Sequence, residues 1–116
     1  MNRRPMRTGI VGAGHVSAYH LRALKGLDRV AVVGIADPNL ALAQKTAAAF
    51  GVPAVFRSLE ELAVAKPDVI HILTPPALHC ELAVRAMELG CHVFVEKPMA
   101  ETVEECDRML AAAKAT

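Results

Sequence analysis

The sequence has few cysteines, no long apolar run and no excess of either charge, and each lack removes a class of function. Cys80, Cys91 and Cys106 are odd in number, scattered and without a CxxC pair. That argues against a disulfide framework and a zinc site, and it suits a reducing cytoplasm. The longest apolar stretches, such as Val30 to Ala36, fall far short of the roughly 20 residues that span a bilayer. The chain therefore reads as soluble, without a membrane partner. Thirteen Lys and Arg against twelve Asp and Glu leave a net charge of +1, so nothing draws it to nucleic acid. Arg3, Arg4 and Arg7 precede an apolar stretch, as in an export signal, but Gly9, Gly12, Gly14 and His15 break that stretch up. No repeat, linker or low-complexity segment divides the chain.

What remains is 116 residues, 53% of them apolar, enough for one domain over 1–116 with a real core. Nearly continuous β-branched runs at Thr8–Val11, Val30–Ile35, Val69–Leu73 and His92–Val95 predict strands covered on both faces, with a weaker strand at Ala54–Phe56. Stretches of helical periodicity lie between them. Ser58 with Glu61 and Thr102 with Glu105 predict capping boxes, while Gly26, Gly51 and Gly90 sit where helices should stop. From Pro76 to Leu89, the spacing of Leu78, Leu82, Ala86 and Leu89 predicts a stripe facing the sheet, with Glu81, Arg85 and Glu88 toward water. The Ala-rich end, 111–116, reads as a helix cut short or fraying. Alternating strands and helices with right-handed crossovers predict an α/β fold, a doubly wound, Rossmann-like parallel sheet ordered 3-2-1-4-5. Its ligand crevice would lie beside strands one and four.

Gly9-Ile10-Val11-Gly12-Ala13-Gly14-His15-Val16-Ser17 leaves a strand and opens a helix, the context a dinucleotide fingerprint requires. Gly12 serves the sharp turn, and Gly14, lacking Cβ, lets a pyrophosphate approach the helix N-terminus. The amides of His15 and Val16 are the expected donors, and the His15 ring is a further candidate. Ser17 stands where a third glycine or alanine is usual, so its hydroxyl must bond within its own helix or hold the helix away from the strand. An ordinary tight turn is the competing reading.

Asp37 closes the second strand roughly 20 residues further on, where a carboxylate can accept from both adenosine ribose hydroxyls and would repel a 2′-phosphate. NAD is therefore expected over NADP, with Arg57 the candidate cation that would rescue NADP. An Asp-Pro turn capped by Asn39 is compatible with the same role.

Two further segments lie at carboxyl ends of strands, Leu73-Thr74-Pro75-Pro76-Ala77-Leu78-His79 and Val95-Glu96-Lys97-Pro98-Met99-Ala100. Taken with Gly12-Ala13-Gly14, His20-Leu21-Arg22-Ala23-Leu24 and Ala36-Asp37-Pro38, they resemble the Gfo/Idh/MocA oxidoreductases across essentially the whole chain. Ser17, and Pro76 where relatives often carry Asn, depart from that pattern. The resemblance implies that Thr74 and Pro75 border the cofactor, that Glu96 approaches the nicotinamide ribose, and that Lys97 lies near the reacting carbon. There an ammonium can stabilise an alkoxide or relay its proton, which makes Lys97 the expected catalytic residue. A cis bond before Pro98 would aim it. His79 is a candidate for cofactor proximity and His20 for packing or capping, while His71 and His92, within strands, are expected in the core.

The resemblance also implies a second domain carrying the substrate contacts, a proton-transferring His and most of the oligomer interface. None of it lies in 1–116. The expectation is a domain that binds nicotinamide dinucleotide without turnover and meets a sugar, polyol or similar substrate only with the missing domain. A stand-alone dinucleotide-binding or redox-sensing module is the alternative.

Overall fold

A computed structural model describes residues 4–116, so Arg3 lies outside the described residues. Five parallel strands form one sheet: β1 (Met6–Val11), β2 (Val30–Ala36), β3 (Val55–Phe56), β4 (Val69–Ile72) and β5 (His92–Val95). Their order is β3-β2-β1-β4-β5, as the element pattern predicts. β1 pairs with β2 on one side and β4 on the other, with a register shift against β2 between Thr8 and Gly9. The helices are α1 (His15–Lys25), α2 (Leu40–Phe50), α3 (Leu59–Leu62), α4 (His79–Glu88) and α5 (Val103–Ala115). The Ala-rich end is thus the continuous last turn of α5.

Because successive strand residues point to opposite faces, the sheet separates two cores. Ile10 and Ile35 join Leu21, Leu24, Ala43 and Ala47 beneath α1 and α2. Val11, Ala36, Ile70 and Ile72 join Leu62, Ala83 and Met109 beneath α3, α4 and α5. Burying an Ile or Leu side chain contributes roughly 1.5–3 kcal/mol, and Ile10, Leu21, Ile35, Leu62, Ile70 and Ile72 are all essentially inaccessible. The cysteines are free thiols. Cys80 and Cys91 are buried with their sulfurs donating to the Glu105 and Pro67 carbonyls, and burial raises the Cys91 pKa.

Caps form where the sequence places them. Ser58 Oγ accepts from Glu61 N, and Thr102 Oγ1 from Glu105 N. The glutamates reach back one residue further than the cap, to Arg57 N and Glu101 N. Gly51 ends α2 in the left-handed conformation.

Two expectations are corrected. The buried face of α4 is His79, Cys80, Ala83 and Ala86, whereas Leu78 and Leu89 are about half exposed, at 45% and 48%. Pro76–Leu78 form a separate 3-10 turn, so the α-helical periodicity begins at His79 and the stripe rotates accordingly. The second concerns the strand histidines. β5 is an edge strand whose Val93 and Val95 pack on the α4 side, which leaves His92 exposed on the other face. His71, on the corresponding face of β4, is half-buried rather than a core residue.

Candidate functional site

The carboxyl ends of β1, β2, β4 and β5 converge on one edge of the sheet, and each contributes a turn. From β1 the chain passes through Gly12 at φ +107°, and a Cβ there would lie 2.8 Å from the Leu73 carbonyl carbon and 3.1 Å from Thr74 N. Gly12 is therefore required twice, for its dihedral and for the approach of the turn after β4. Gly14 differs. It is the N-cap of α1, has no side-chain cap bond, and has nothing within 4 Å of where a Cβ would stand. Its φ of −74° is open to any residue. The fold does not require glycine at 14, and the space before the uncapped helix N-terminus suits an anion held by the His15 and Val16 amides. Ser17 is buried and its hydroxyl donates to Gly14 O at 2.6 Å, the within-helix bond its position demands.

Asp37 leaves β2 half-buried. Its Oδ2 accepts from Ala13 N and its Oδ1 from Asn39 N, both at 2.8 Å, while Asn39 caps α2 by accepting from Leu42 N. The carboxylate thus braces the glycine turn, and each oxygen keeps a lone pair for a ligand hydroxyl. Beside it a cavity of about 170 Å³ is lined by Val11, Asp37, Pro38, Arg57, Thr74 and Leu78 among others. It bridges the ends of β1, β2 and β4, where the strand order reverses. A larger cavity of about 600 Å³ lies at the opposite end of the strands, against Arg4, Arg7 and Lys66. Both of its arginines are engaged: Arg7 donates to the Ala65 and Lys66 carbonyls, and Arg4 to the Asp68 carboxylate.

After β4, Thr74 and Pro75 turn into the 3-10 segment, with Thr74 Oγ1 3.4 Å from Pro75 O. His79 is 1% exposed; its Nε2 lies 2.9 Å from Thr74 O and its Nδ1 2.9 Å from Pro98 O. One imidazole thereby ties the Thr-Pro turn to the turn after β5. In that second turn the Lys97–Pro98 peptide is cis, and Lys97 is exposed.

Glu96 has partners that the sequence does not announce. Its Oε1 accepts from His20 Nε2 at 2.7 Å, and the second nitrogen of His20 meets His71 Nδ1 at 2.9 Å. His20 is more than a packing or capping residue, and His71 belongs to this cluster. The partners come from α1, β4 and the end of β5, far apart in the chain, so no local spacing announces them. Burial, the neighbouring charge of His20 next, lowers the pKa of His71 to about 4, against the opposing pull of Glu96. Among the described residues no group of three or more His, Cys, Asp or Glu side chains could hold a metal ion, and no helix is long and apolar enough to cross a membrane.

Residues 6–116 match the oxidoreductase family with NAD-binding Rossmann fold, Gfo/Idh/MocA. The chain is 34% identical to D-glucoside 3-dehydrogenase of Escherichia coli (strain K12), over 98% of this chain and 33% of that protein. It is 31% identical to the scyllo-inositol 2-dehydrogenase (NADP(+)) IolU of Bacillus subtilis (strain 168), over 95% of this chain and 34% of that protein. The crystal structure of the WlbA dehydrogenase from Bordetella pertussis, in complex with NADH and UDP-GlcNAcA, superposes with a TM-score of 0.90 at 37% identity, covering 97% of this chain and 35% of that one. The chain spans about a third of the length of these relatives. It belongs to the Gfo/Idh/MocA oxidoreductase family, as its NAD-binding Rossmann domain.

Proposed function

We propose that this chain is the cofactor-binding domain of an NAD-dependent oxidoreductase acting on a sugar, polyol or related alcohol or carbonyl compound. The observation that carries the reading is the pairing of an uncapped, unobstructed Gly14 at the start of α1 with the Asp37 carboxylate at the end of β2. The pyrophosphate would meet the His15 and Val16 amides beside Gly12 and Gly14, and the adenosine ribose would meet Asp37. Thr74 and Pro75 border the cofactor, Glu96 accepts from the nicotinamide ribose, and His79 serves the site by joining the two turns. His15, whose side chain is exposed beside the pyrophosphate position, is a supplementary donor.

Bound there, the nicotinamide supplies the hydride acceptor or donor. Lys97, exposed at the end of β5, is the proposed catalytic residue. Its Nζ can hold a proton beside a substrate oxygen that gains negative charge, or exchange that proton with it. The compounds in the relatives' names, a D-glucoside and scyllo-inositol, and the UDP-GlcNAcA bound in the WlbA structure set the proposed substrate class. Substrate contacts, a second proton-transferring group and most of an oligomer interface are assigned to a domain outside residues 1–116, in keeping with the third of the relatives' length that the chain spans. The chain by itself then binds cofactor without turnover. The proposed setting is the cytoplasm, with neither membrane nor nucleic acid as partner.

The preference for NAD rests on Asp37, whose charge opposes a 2′-phosphate; Arg57 lines the same cavity. Titration of the chain with NADH and NADPH should show NADH at least about tenfold tighter, and Asp37→Ser should narrow the ratio. Equal affinities for the unaltered chain would contradict the preference.

A further inference from the structure

An exposed glutamate with three rotatable bonds samples many rotamers, and ordering it on a ligand carries an entropic cost. Glu96 is held before any ligand arrives. The His20 side chain is only 12% exposed, and its Nε2 donates to a carboxylate that is itself 37% exposed. His20 is in turn fixed from two sides. Its Nδ1 lies 2.9 Å from His71 Nδ1, where it accepts from His71 when the His20 proton sits on Nε2. The Phe94 ring stands edge-on to it with centroids 5.4 Å apart, and Phe94 also stacks on His71 at 4.8 Å and 12°. Three rings from α1, β4 and β5 thus set the direction of one N–H bond. With Oε1 engaged, the remaining lone pairs of the carboxylate are available to a hydroxyl.

We propose that His20 is a positioning residue that holds Glu96 as a preset acceptor for a ribose hydroxyl of the bound dinucleotide, with His71 and Phe94 fixing His20. This rests on the cofactor reading above. The contrasting role is a plain cross-link between α1 and the turn after β5, which would support the fold without favouring any part of the ligand.

The probes that separate these roles are NADH and ADP, which ends before the nicotinamide ribose, both titrated against the full chain. His20→Phe keeps a ring against Phe94 but has no N–H, and His20→Gln restores an amide N–H near the Nε2 position. His20→Phe should weaken NADH about five- to tenfold, the loss of one charge-assisted hydrogen bond, and leave ADP within about twofold. Glu96→Gln should match it, the double variant should be no weaker than either single one, and His20→Gln should recover most of the affinity. His20→Phe binding NADH like the unaltered chain, or losing NADH and ADP alike, would overturn the proposal. If the unaltered chain bound neither probe, the cofactor reading would fall and this inference with it. Imidazole ¹⁵N–¹H correlation spectra give a cofactor-independent check, and need no His20 variant to fold. They should show a proton on His20 Nε2 whose signal moves in Glu96→Gln, and a ring protonated only at Nδ1 would overturn the assignment by itself.

Discussion

Gly12 and Gly14 are two residues apart in one motif, yet they answer to different demands. At 12 the positive φ and the Leu73 carbonyl leave no room for a side chain, so Gly12→Ala should destabilise the chain by about 1–3 kcal/mol or more, read as a lower denaturant midpoint. At 14 the backbone suits any residue and the space is open. Gly14→Ser, which can cap α1 itself, should leave stability within about 0.5 kcal/mol. His71 gives a pH-dependent counterpart. Its pKa in the folded chain, about 4, lies below the ordinary value of 6.5, so unfolding takes up a proton between the two. Its contribution to stability is undiminished above pH 6.5, falls as pH drops toward 4, and levels off below. Thermal melts across that window should show a steeper loss for the unaltered chain than for His71→Leu. Asp68 acts in a lower window. The Arg4 side chain, followed by the Arg7 amide, holds its pKa at about 2, so its contribution is full above pH 3.8 and is lost as pH falls toward 2.

Among the elements, those governed by local chemistry were legible in the sequence. Capping residues act within one turn, so Ser58 and Thr102 marked the starts of α3 and α5 correctly. Thr102→Ala should cost about 1 kcal/mol, a fall in Tm of about 4 °C for a domain of this size. The α4 stripe was misread because Pro76–Leu78 carry residues that fit a helical period but occupy a different helix. Hydrophobic spacing says which residues are a turn apart only once the first turn is known. His92 failed for another reason: a short apolar run looks alike in a central and an edge strand, and only sheet order shows that one face of β5 is left open.

The whole molecule joins residues that the sequence keeps apart. Strand order β3-β2-β1-β4-β5 brings the ends of β1, β2, β4 and β5 together, and it followed from the alternation of strands and helices. The glycine turn, Asp37, the Thr-Pro turn and the Glu-Lys-Pro turn were recognisable in advance because each is a short contiguous signal. The Glu96–His20–His71 cluster was not, since side chains 51 and 76 positions apart meet only when α1 lies over β4 and β5. The cleft that this topology creates is put to the test by calorimetric titration of the 116-residue chain with NADH at neutral pH. Saturable binding of one NADH per chain is expected, weakened at least about tenfold by Gly14→Ser while that variant melts like the unaltered chain. Absence of saturable binding, or equal affinity in the two proteins, would contradict it.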